Sequence, residues 1–144
     1  YGISDDAPDC ERRNLKWQNG KYAEMAATEA RYEEYMMDDA EYAFVGYGTT
    51  ARILKTAANE LRKEGIKIGL IRPKTAWPFP EKPFENKNIK KFIVGEMNLG
   101  QMVEDVKMAC GDKEKVFFYG RCGGVIPTPE EFIDYAKKVI GGAE

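Results

Sequence analysis

Histidine is absent from this 144-residue sequence, and cysteine is scarce. The lack of histidine removes the side chain that most often serves as a general base and as a metal ligand. The three cysteines, Cys10, Cys110 and Cys122, lie far apart and form no C-x-x-C pair. This spacing excludes an iron–sulfur cluster held by the chain alone, which needs four clustered cysteines. Unclustered thiols in an odd number are typical of a reducing compartment, so we expect a cytoplasmic protein.

Long apolar runs are missing as well. No stretch of about 20 apolar residues is present, so no membrane span is expected. The net charge of −2 disfavours nucleic acid and anionic membranes as main partners. Apolar residues still make up 43% of the chain, enough for the core of one ordinary domain. The first residue is Tyr1 and no signal-peptide pattern follows. We expect this amino end to be a cut inside a longer protein, or to lack preceding residues.

Residues 1–40 predict a linker segment that contains one long amphipathic helix. Within residues 11–38, tyrosine and methionine recur at three-, four- and seven-residue spacing, as at Tyr22, Met25 and Tyr32. This spacing places them on one helical stripe. A stripe of this length is unusual for a small domain and indicates that a partner surface covers it.

Residues 41–144 predict an α/β domain: an open, mainly parallel sheet between two layers of helices. Strands buried on both faces have nearly unbroken apolar runs rich in β-branched and aromatic residues. Four such runs predict strands at Tyr42–Tyr47, Ile66–Ile71, Phe92–Val94 and Val116–Tyr119. Amphipathic stretches predict helices at Thr50–Glu64, Leu99–Cys110 and Pro129–Ile140.

Two of these helices begin with capping residues. Thr128, Pro129 and Glu131 supply a cap, a first-turn proline and a reciprocal acceptor. Asn98 and Gln101 form a similar capping-box pair, although Asn replaces the usual Ser or Thr. These residues therefore predict where the second and third helices start.

Small residues follow the first predicted strand in the run Gly46-Tyr-Gly-Thr-Thr-Ala. They permit a sharp turn, and Thr49 is placed to cap the next helix. Free backbone N–H groups at such a turn favour an anion. The run nevertheless lacks the third glycine of a dinucleotide-binding loop and the lysine of a P-loop. A capped turn, an anion site and a domain contact that involves Thr49 and Thr50 all stay open.

A second polar run, Gly95-Glu-Met-Asn-Leu-Gly-Gln, follows the third predicted strand. Ligands of open parallel sheets bind beyond the carboxyl ends of the strands. We therefore expect Glu96, Asn98 and Gln101 to face the same crevice as Thr49 and Thr50. A carboxylate at a strand end needs a partner or water. We expect Glu96 to be solvated, and the alternative partners are Arg52, Arg72 and Arg121.

Two loops carry further candidates. Residues 72–83 contain four prolines, which forbid regular structure there, and Trp77 among them is either a packed anchor or a partner-facing aromatic. After the fourth strand, the run Gly120-Arg-Cys-Gly-Gly-Val-Ile-Pro-Thr-Pro is either a phosphate cradle or a turn that needs glycine for its backbone conformation.

Four motifs in order resemble the α chain of 2-oxoacid:ferredoxin oxidoreductases, nearest to the members for 2-oxoisovalerate and 2-oxoglutarate. The resemblance covers the chain from about residue 30 to its end. Cys122 departs from the family, where proline is expected, which leaves the stiffness of that loop open. The motifs are Tyr47-Gly-Thr-Thr-Ala-Arg, Arg72-Pro-x-Thr-x-Trp-Pro-Phe-Pro, Glu96-Met-Asn-x-Gly-Gln-Met and Tyr119-Gly-Arg-x-Gly-Gly-x-Ile-Pro-Thr-Pro-Glu-Glu.

The resemblance implies both a fold and a reaction. It implies a domain similar to the transketolase carboxy-terminal domain, with predicted strands in the order two-one-three-four, preceded by the long helix. The family oxidises a 2-oxoacid with coenzyme A to an acyl-CoA, carbon dioxide and reduced ferredoxin. Thiamine diphosphate with Mg²⁺ forms the carbanion, and iron–sulfur clusters accept the electrons.

The thiamine-diphosphate signature, Gly-Asp-Gly followed by Asn, is absent: Gly111 and Asp112 precede Lys113. The resemblance therefore implies that the cofactors belong to other domains and chains, and that this chain serves structure and assembly. The implied partners are the other domains of the α chain, a thiamine-diphosphate-binding β chain, a γ chain and a ferredoxin-like chain. No catalytic or metal-binding residue is assigned. The candidates for a crevice or domain contact are Thr49, Thr50, Arg52, Arg72, Trp77, Glu96, Asn98, Gln101 and Arg121.

A stand-alone doubly wound domain that binds a ligand or a partner is the alternative function. An independent small hydrolase is disfavoured, because no Ser or Cys nucleophile follows a strand at a sharp turn and no histidine can act as its base.

Overall fold

The computed structural model describes residues 31–74, 79–96, 101–120 and 127–142. These residues contain a five-stranded sheet with the order β1-β3-β2-β4-β5. β1 runs antiparallel to β3, and the other neighbouring strands are parallel. The predicted order two-one-three-four is thus confirmed as β3-β2-β4-β5. The strands are β1 (Tyr32–Tyr35), β2 (Tyr42–Val45), β3 (Ile68–Pro73), β4 (Lys91–Glu96) and β5 (Val116–Gly120).

Three α-helices lie in the described residues: α1 (Thr49–Lys63), α2 (Gln101–Cys110) and α3 (Pro129–Ile140). The bounds of α3 match the prediction because its capping box forms as expected. The Thr128 hydroxyl accepts from the Glu131 N–H at 3.3 Å, and the Glu131 carboxylate accepts from the Thr128 N–H at 3.2 Å. Short 3-10 helices cover Lys82–Glu85 and Lys113–Lys115. The prediction of no regular structure over residues 72–83 is wrong at both ends, since β3 extends to Pro73 and the first 3-10 helix begins at Lys82. Proline is tolerated at the end of a strand and in the first turn of a helix.

The sheet is covered on both faces, as its unbroken apolar strands predict. On one face, Leu54 of α1 and Phe132 of α3 pack against Phe44 and Ile93 of the central strands. On the other face, apolar residues of α2 and of the 3-10 helix Lys82–Glu85 pack against alternate residues of the same strands. The three-layer α/β architecture is therefore confirmed.

The predicted amino-terminal helix is wrong at its carboxyl end, since Tyr32–Tyr35 forms strand β1. Tyr32 lies opposite Pro73 and Tyr35 opposite Leu70. The edge of β3 supplies backbone partners, and such pairing overrides a local helical pattern. The remainder of the predicted helix, residues 11–30, lies outside the described residues. The assignment of residues 1–40 to a linker stays a prediction.

Arg62 of α1 holds the turn after β1, residues 36–39, against the domain through hydrogen bonds. Its Nε donates to the Ile68 carbonyl at 2.7 Å, and its terminal nitrogens bind the Asp39 carboxylate, one at 2.9 Å. A terminal nitrogen also donates to the carbonyl of Met36, which has a positive φ of 56°. The Met36 backbone packs closely against Gly69 of β3. Only glycine permits this contact, because a Cβ at position 69 would lie 2.8 Å from the Met36 carbonyl oxygen.

Candidate functional site at the strand ends

The carboxyl ends of β2 and β4 form the topological switch point of the sheet. The two strands are neighbours, with Val45 opposite Val94. The helices that follow them, α1 and α2, pack on opposite faces. A gap between neighbouring strands of this kind is the usual ligand or contact site of open parallel sheets. The structure brings Thr49, Thr50 and Glu96 to this edge, although no hydrogen bond joins Glu96 to either threonine.

Thr49 does not cap α1, contrary to prediction. Gly48 occupies the capping position with a positive φ of 61°, and no side chain accepts from the first turn. A glycine adopts this left-handed backbone without steric cost, so the chain turns one residue earlier than the hydroxyl would require. Thr49 is instead the first residue of the helix and is exposed. Thr50 is buried, with 4% of its surface exposed.

Glu96 is buried, with 2% of its surface exposed, so the expectation of a solvated carboxylate is wrong. Its oxygens accept from the backbone N–H of Met102 at 2.6 Å and of Val103 at 3.4 Å. A helix leaves its first N–H groups without internal partners, and they attract negative charge. Glu96 therefore caps α2 from the end of β4. Neither Arg52 nor Arg72 pairs with it.

Burial raises the pKa of Glu96 above its ordinary value of 4.5. The hydrogen bonds from the Met102 and Val103 N–H groups oppose this rise, and the negative charge of Asp105 adds to it. The loss of hydration outweighs the two bonds. The surroundings of Glu96 consequently favour its neutral form more than water does.

Two glycines let the helices pack tightly beneath the switch point. A Cβ on Gly46 would lie 2.5 Å from the Leu54 Cδ1 atom, and a Cβ on Gly95 would lie 2.8 Å from the Phe132 Cε1 atom. Both strand ends therefore require glycine for packing against α1 and α3. On this face of the sheet, side chains fill the space below the switch point.

Arg52 and Arg72 lie in a different place from Glu96. They line a groove of about 420 Å³ between the first turns of α1 and the β1 edge of the sheet. The residues predicted for one crevice are thus divided between the switch point and this groove. Trp77, Asn98 and Arg121 lie outside the described residues, and Gln101 is described only as the first residue of α2.

Of the eight residues that line the groove, sequence reasoning found only Arg52 and Arg72, and Glu33, Tyr35 and Lys55 are among the six that it missed. The Lys55 Nζ atom lies 4.6 Å from the centre of the Tyr35 ring, in a cation–π contact. The Tyr35 hydroxyl donates to the Asn59 Oδ1 atom at 2.8 Å. Since Glu33 and Tyr35 belong to the segment predicted as helix, no local signal placed them beside α1.

The described side chains contain no group of three or more Cys, Asp or Glu residues placed to hold a metal ion. Within the same ranges, no helix is both long and apolar enough to cross a membrane.

Comparison with known proteins identifies similar sequences and folds. Residues 40–132 match the family model described as pyruvate:ferredoxin oxidoreductase core domain II. Ketoisovalerate oxidoreductase subunit VorB of Methanothermobacter marburgensis is 40% identical over 123 residues, which cover 84% of this chain and 35% of the relative. 2-Oxoglutarate synthase subunit KorA of Methanocaldococcus jannaschii is 41% identical over 93 residues, which cover 65% of this chain and 25% of the relative.

A solved structure shares the fold. The 2-oxoglutarate:ferredoxin oxidoreductase from Magnetococcus marinus, with 2-oxoglutarate, coenzyme A and succinyl-CoA bound, superimposes with a TM-score of 0.81 at 25% identity. The match covers 96% of this chain and 24% of that chain. This chain thus spans a quarter to about a third of the length of these proteins.

Proposed function

This chain belongs to the pyruvate:ferredoxin oxidoreductase core domain II family, and on that premise we propose that it is one domain of the α subunit of a 2-oxoacid:ferredoxin oxidoreductase. The match over residues 40–132 carries the proposal. Its curated relatives are named as subunits of such enzymes. The short span of the chain against those relatives supports a domain role within a larger enzyme.

The proposed reaction is oxidative decarboxylation of a 2-oxoacid. The substrate and coenzyme A give an acyl-CoA and carbon dioxide, and two electrons pass singly to ferredoxin. We infer 2-oxoisovalerate as the substrate, because a relative named for ketoisovalerate matches 84% of this chain. Relatives named for 2-oxoglutarate match shorter parts of this chain, 63% to 74%. 2-Oxoglutarate is therefore the first competitor in a substrate screen.

The described residues do not fit a site for thiamine diphosphate with its metal ion. They offer no cluster of carboxylates for the ion, and the buried carboxylate of Glu96 is already bonded to the start of α2. We assign thiamine diphosphate, Mg²⁺ and the iron–sulfur clusters to other domains and chains. The role of this domain is structure and assembly, with contact at the strand ends. The residues proposed for contacts at the strand ends and their loops are Thr49, Thr50, Trp77, Glu96, Asn98, Gln101 and Arg121, and those proposed for contacts at the groove are Arg52 and Arg72.

Coexpression of the full-length protein with its partner subunits tests the assignment. We expect a complex that reduces ferredoxin with 2-oxoisovalerate and coenzyme A, faster than with 2-oxoglutarate. A stable full-length protein that recruits no thiamine-diphosphate-binding chain and has no such activity contradicts the proposal. That outcome supports the alternative, a separate domain that binds a ligand or a partner.

Asn98→Ala tests whether the strand-end edge is a contact in the assembled enzyme. Loss of a helix cap alone costs about 1 kcal/mol of stability. If Asn98 also takes part in a domain contact, turnover per folded complex falls well beyond that loss. Asp112→Ala is the matched control, since Asp112 caps the 3-10 helix Lys113–Lys115, which precedes β5, by accepting from the Glu114 N–H at 3.1 Å. Equal turnover per folded complex in both variants would mean that Asn98 acts only as a helix cap and takes no part in a domain contact.

A further inference from the structure

We propose that the groove between β1 and α1 binds an extended acidic segment of a partner subunit. The inference rests on the proposed function, because it names the surface through which this domain joins its assembly. The groove is lined by Arg52 and Lys55 of α1, Arg72 of β3, and Glu33 and Tyr35 of β1.

The cations of the groove are available to a partner. Arg52 is exposed, and its guanidinium makes no hydrogen bond or ion pair with the described residues. Arg72 lies 4.0 Å from the nearer oxygen of Glu33, whereas Lys74 approaches the other oxygen at 2.5 Å. Glu33 is thus already paired, and Arg72 keeps most of its hydrogen-bonding capacity. Guanidinium groups bind carboxylates through two parallel hydrogen bonds, which suits acidic side chains.

The floor of the groove is preformed. The Tyr35 ring is held by its hydroxyl bond to Asn59, and the Lys55 ammonium lies over its face. Leu70 and Ala51 provide the apolar surface beside the ring. A fixed aromatic floor lowers the entropic cost of binding, because little has to be ordered when the partner arrives.

The mixed charge of the groove favours a polypeptide over a small anionic ligand. Glu33 stands on the β1 side, opposite the basic residues of α1. Its carboxylate repels a compact dianion such as a phosphate ester. A polypeptide satisfies both sides, since its acidic side chains reach Arg52 and Arg72 while its N–H groups or basic side chains face Glu33.

The strand β1 is the edge strand of the sheet that the described residues form, and it borders this groove. β1 pairs with β3 on one side, and within the described ranges it has no strand on the other. Among the described residues, no strand pairs with the outer backbone groups of β1, which lie beside the cations, and this is the arrangement used in recognition by strand addition.

Charge reversal at Arg52 is the first test, in the full-length protein with purified partner subunits. Arg52→Glu places an acidic residue in the first turn of α1, where a helix favours negative charge, so the variant folds. We expect its association with the partner to weaken about tenfold or more at low salt, chiefly through slower binding. Arg72→Gln weakens it in the same direction.

Lys138→Glu is the matched control, because Lys138 is exposed on α3 and makes no ion pair among the described residues. It carries the same charge change and leaves association unaltered. Equal weakening in the Lys138 and Arg52 variants overturns the inference, since net charge alone then explains the effect. Unchanged association of the Arg52 variant overturns it as well and leaves the proposed function standing.

A photo-crosslinking residue in place of Tyr35 identifies the occupant directly. Crosslinks to an acidic segment of a partner subunit support the inference. Crosslinks to residues 1–30 of the same chain, or none within an assembled complex, overturn it. If the wild-type protein forms no complex with the partner subunits, the proposed function is wrong. If the complex forms but the groove makes no crosslink to a partner subunit, only the inference about the groove is wrong.

Discussion

At the scale of single residues, two opposing effects act on the pKa of Glu96 in the strand-end site. Its carboxylate is removed from water at the end of β4, yet it accepts hydrogen bonds from the start of α2. The first effect raises the pKa and the second lowers it, and burial prevails. The folded chain therefore binds a proton at Glu96 more tightly than the unfolded chain does.

The stability contributed by Glu96 should decrease as the pH rises. Because its pKa in the folded chain lies above 4.5, the contribution is fully present below the unfolded value and is lost as the pH rises through the folded one. We expect the free energy of unfolding of the wild type, relative to Glu96→Gln, to fall across that window. Urea unfolding at several pH values measures the difference.

Asp39→Asn provides a control of opposite sign. The hydrogen bond from Arg62 lowers the pKa of Asp39 below its ordinary value of 3.8. The wild type should therefore lose stability relative to this variant as the pH falls through the lowered pKa. If the free energy of unfolding of the wild type relative to Glu96→Gln instead increased with pH, the hydrogen bonds from α2 would affect the pKa of Glu96 more than burial does.

Gly95 tests the packing beneath the switch point. Gly95→Ala places a Cβ 2.8 Å and 2.9 Å from two ring atoms of Phe132. We expect a loss of about 2 kcal/mol from overpacking. Phe132→Leu in the same chain should recover part of the loss, and a double-mutant cycle by chemical unfolding measures the coupling. Additive losses would show that the ring does not cause the strain.

At the scale of elements, the sequence predicted the central strands and helices well because each carries its own burial pattern. Phe92–Val94 is apolar on both faces, and Thr128 with Glu131 marks the start of α3. Strand β1 was not predictable in this way. Tyr32 and Tyr35 also fit a helical stripe, and their pairing depends on the distant edge of β3.

In the strand-end site, too, the sequence predicted the position of a residue but not the partners it contacts in the fold. The position of Glu96 after a buried strand was readable, but its partners are backbone groups six and seven residues further along. Backbone N–H groups have no sequence signature, so the sequence predicts a solvated Glu96, with arginines as the alternative partners. Gly48 likewise occupies the capping position of α1 because of its backbone conformation. The sequence favoured Thr49 for this position, since a threonine hydroxyl is a common cap and a backbone conformation is not visible in the sequence.

Arg62 should determine whether β1 stays attached to the sheet. Arg62→Ala removes the bonds to Ile68, Met36 and Asp39, and we expect a loss of about 2 kcal/mol. Hydrogen exchange should show lost protection in β1 with protection retained in β4.

Lys63→Ala is the neighbouring control, because Lys63 is exposed and, of the residues that the structure describes, it pairs only with Glu60 on the same helix. It should change stability by less than about 0.5 kcal/mol. Uniform loss of protection across all five strands in Arg62→Ala would mean that β1 does not open as a separate unit.

At the scale of the whole molecule, the isolated chain should be colourless and inactive with 2-oxoacids. Its three cysteines are too few and too dispersed for a four-cysteine cluster, and the thiamine-diphosphate signature is missing. Anaerobic purification followed by absorbance spectroscopy measures this. A brown protein with absorbance near about 400 nm, in proportion to one cluster per chain, would contradict it.

The antiparallel direction of β1 decides where the chain enters the domain. Tyr32 lies beside Pro73, and the Arg31 carbonyl accepts from the Lys74 N–H at 2.8 Å, at the same edge as the carboxyl ends of the parallel strands. The chain therefore enters β1 at the same edge of the sheet that carries Glu96 and Thr49. A short tether holds a group at a local concentration in the millimolar range, so a group attached directly ahead of Arg31 needs little intrinsic affinity to bind at this edge.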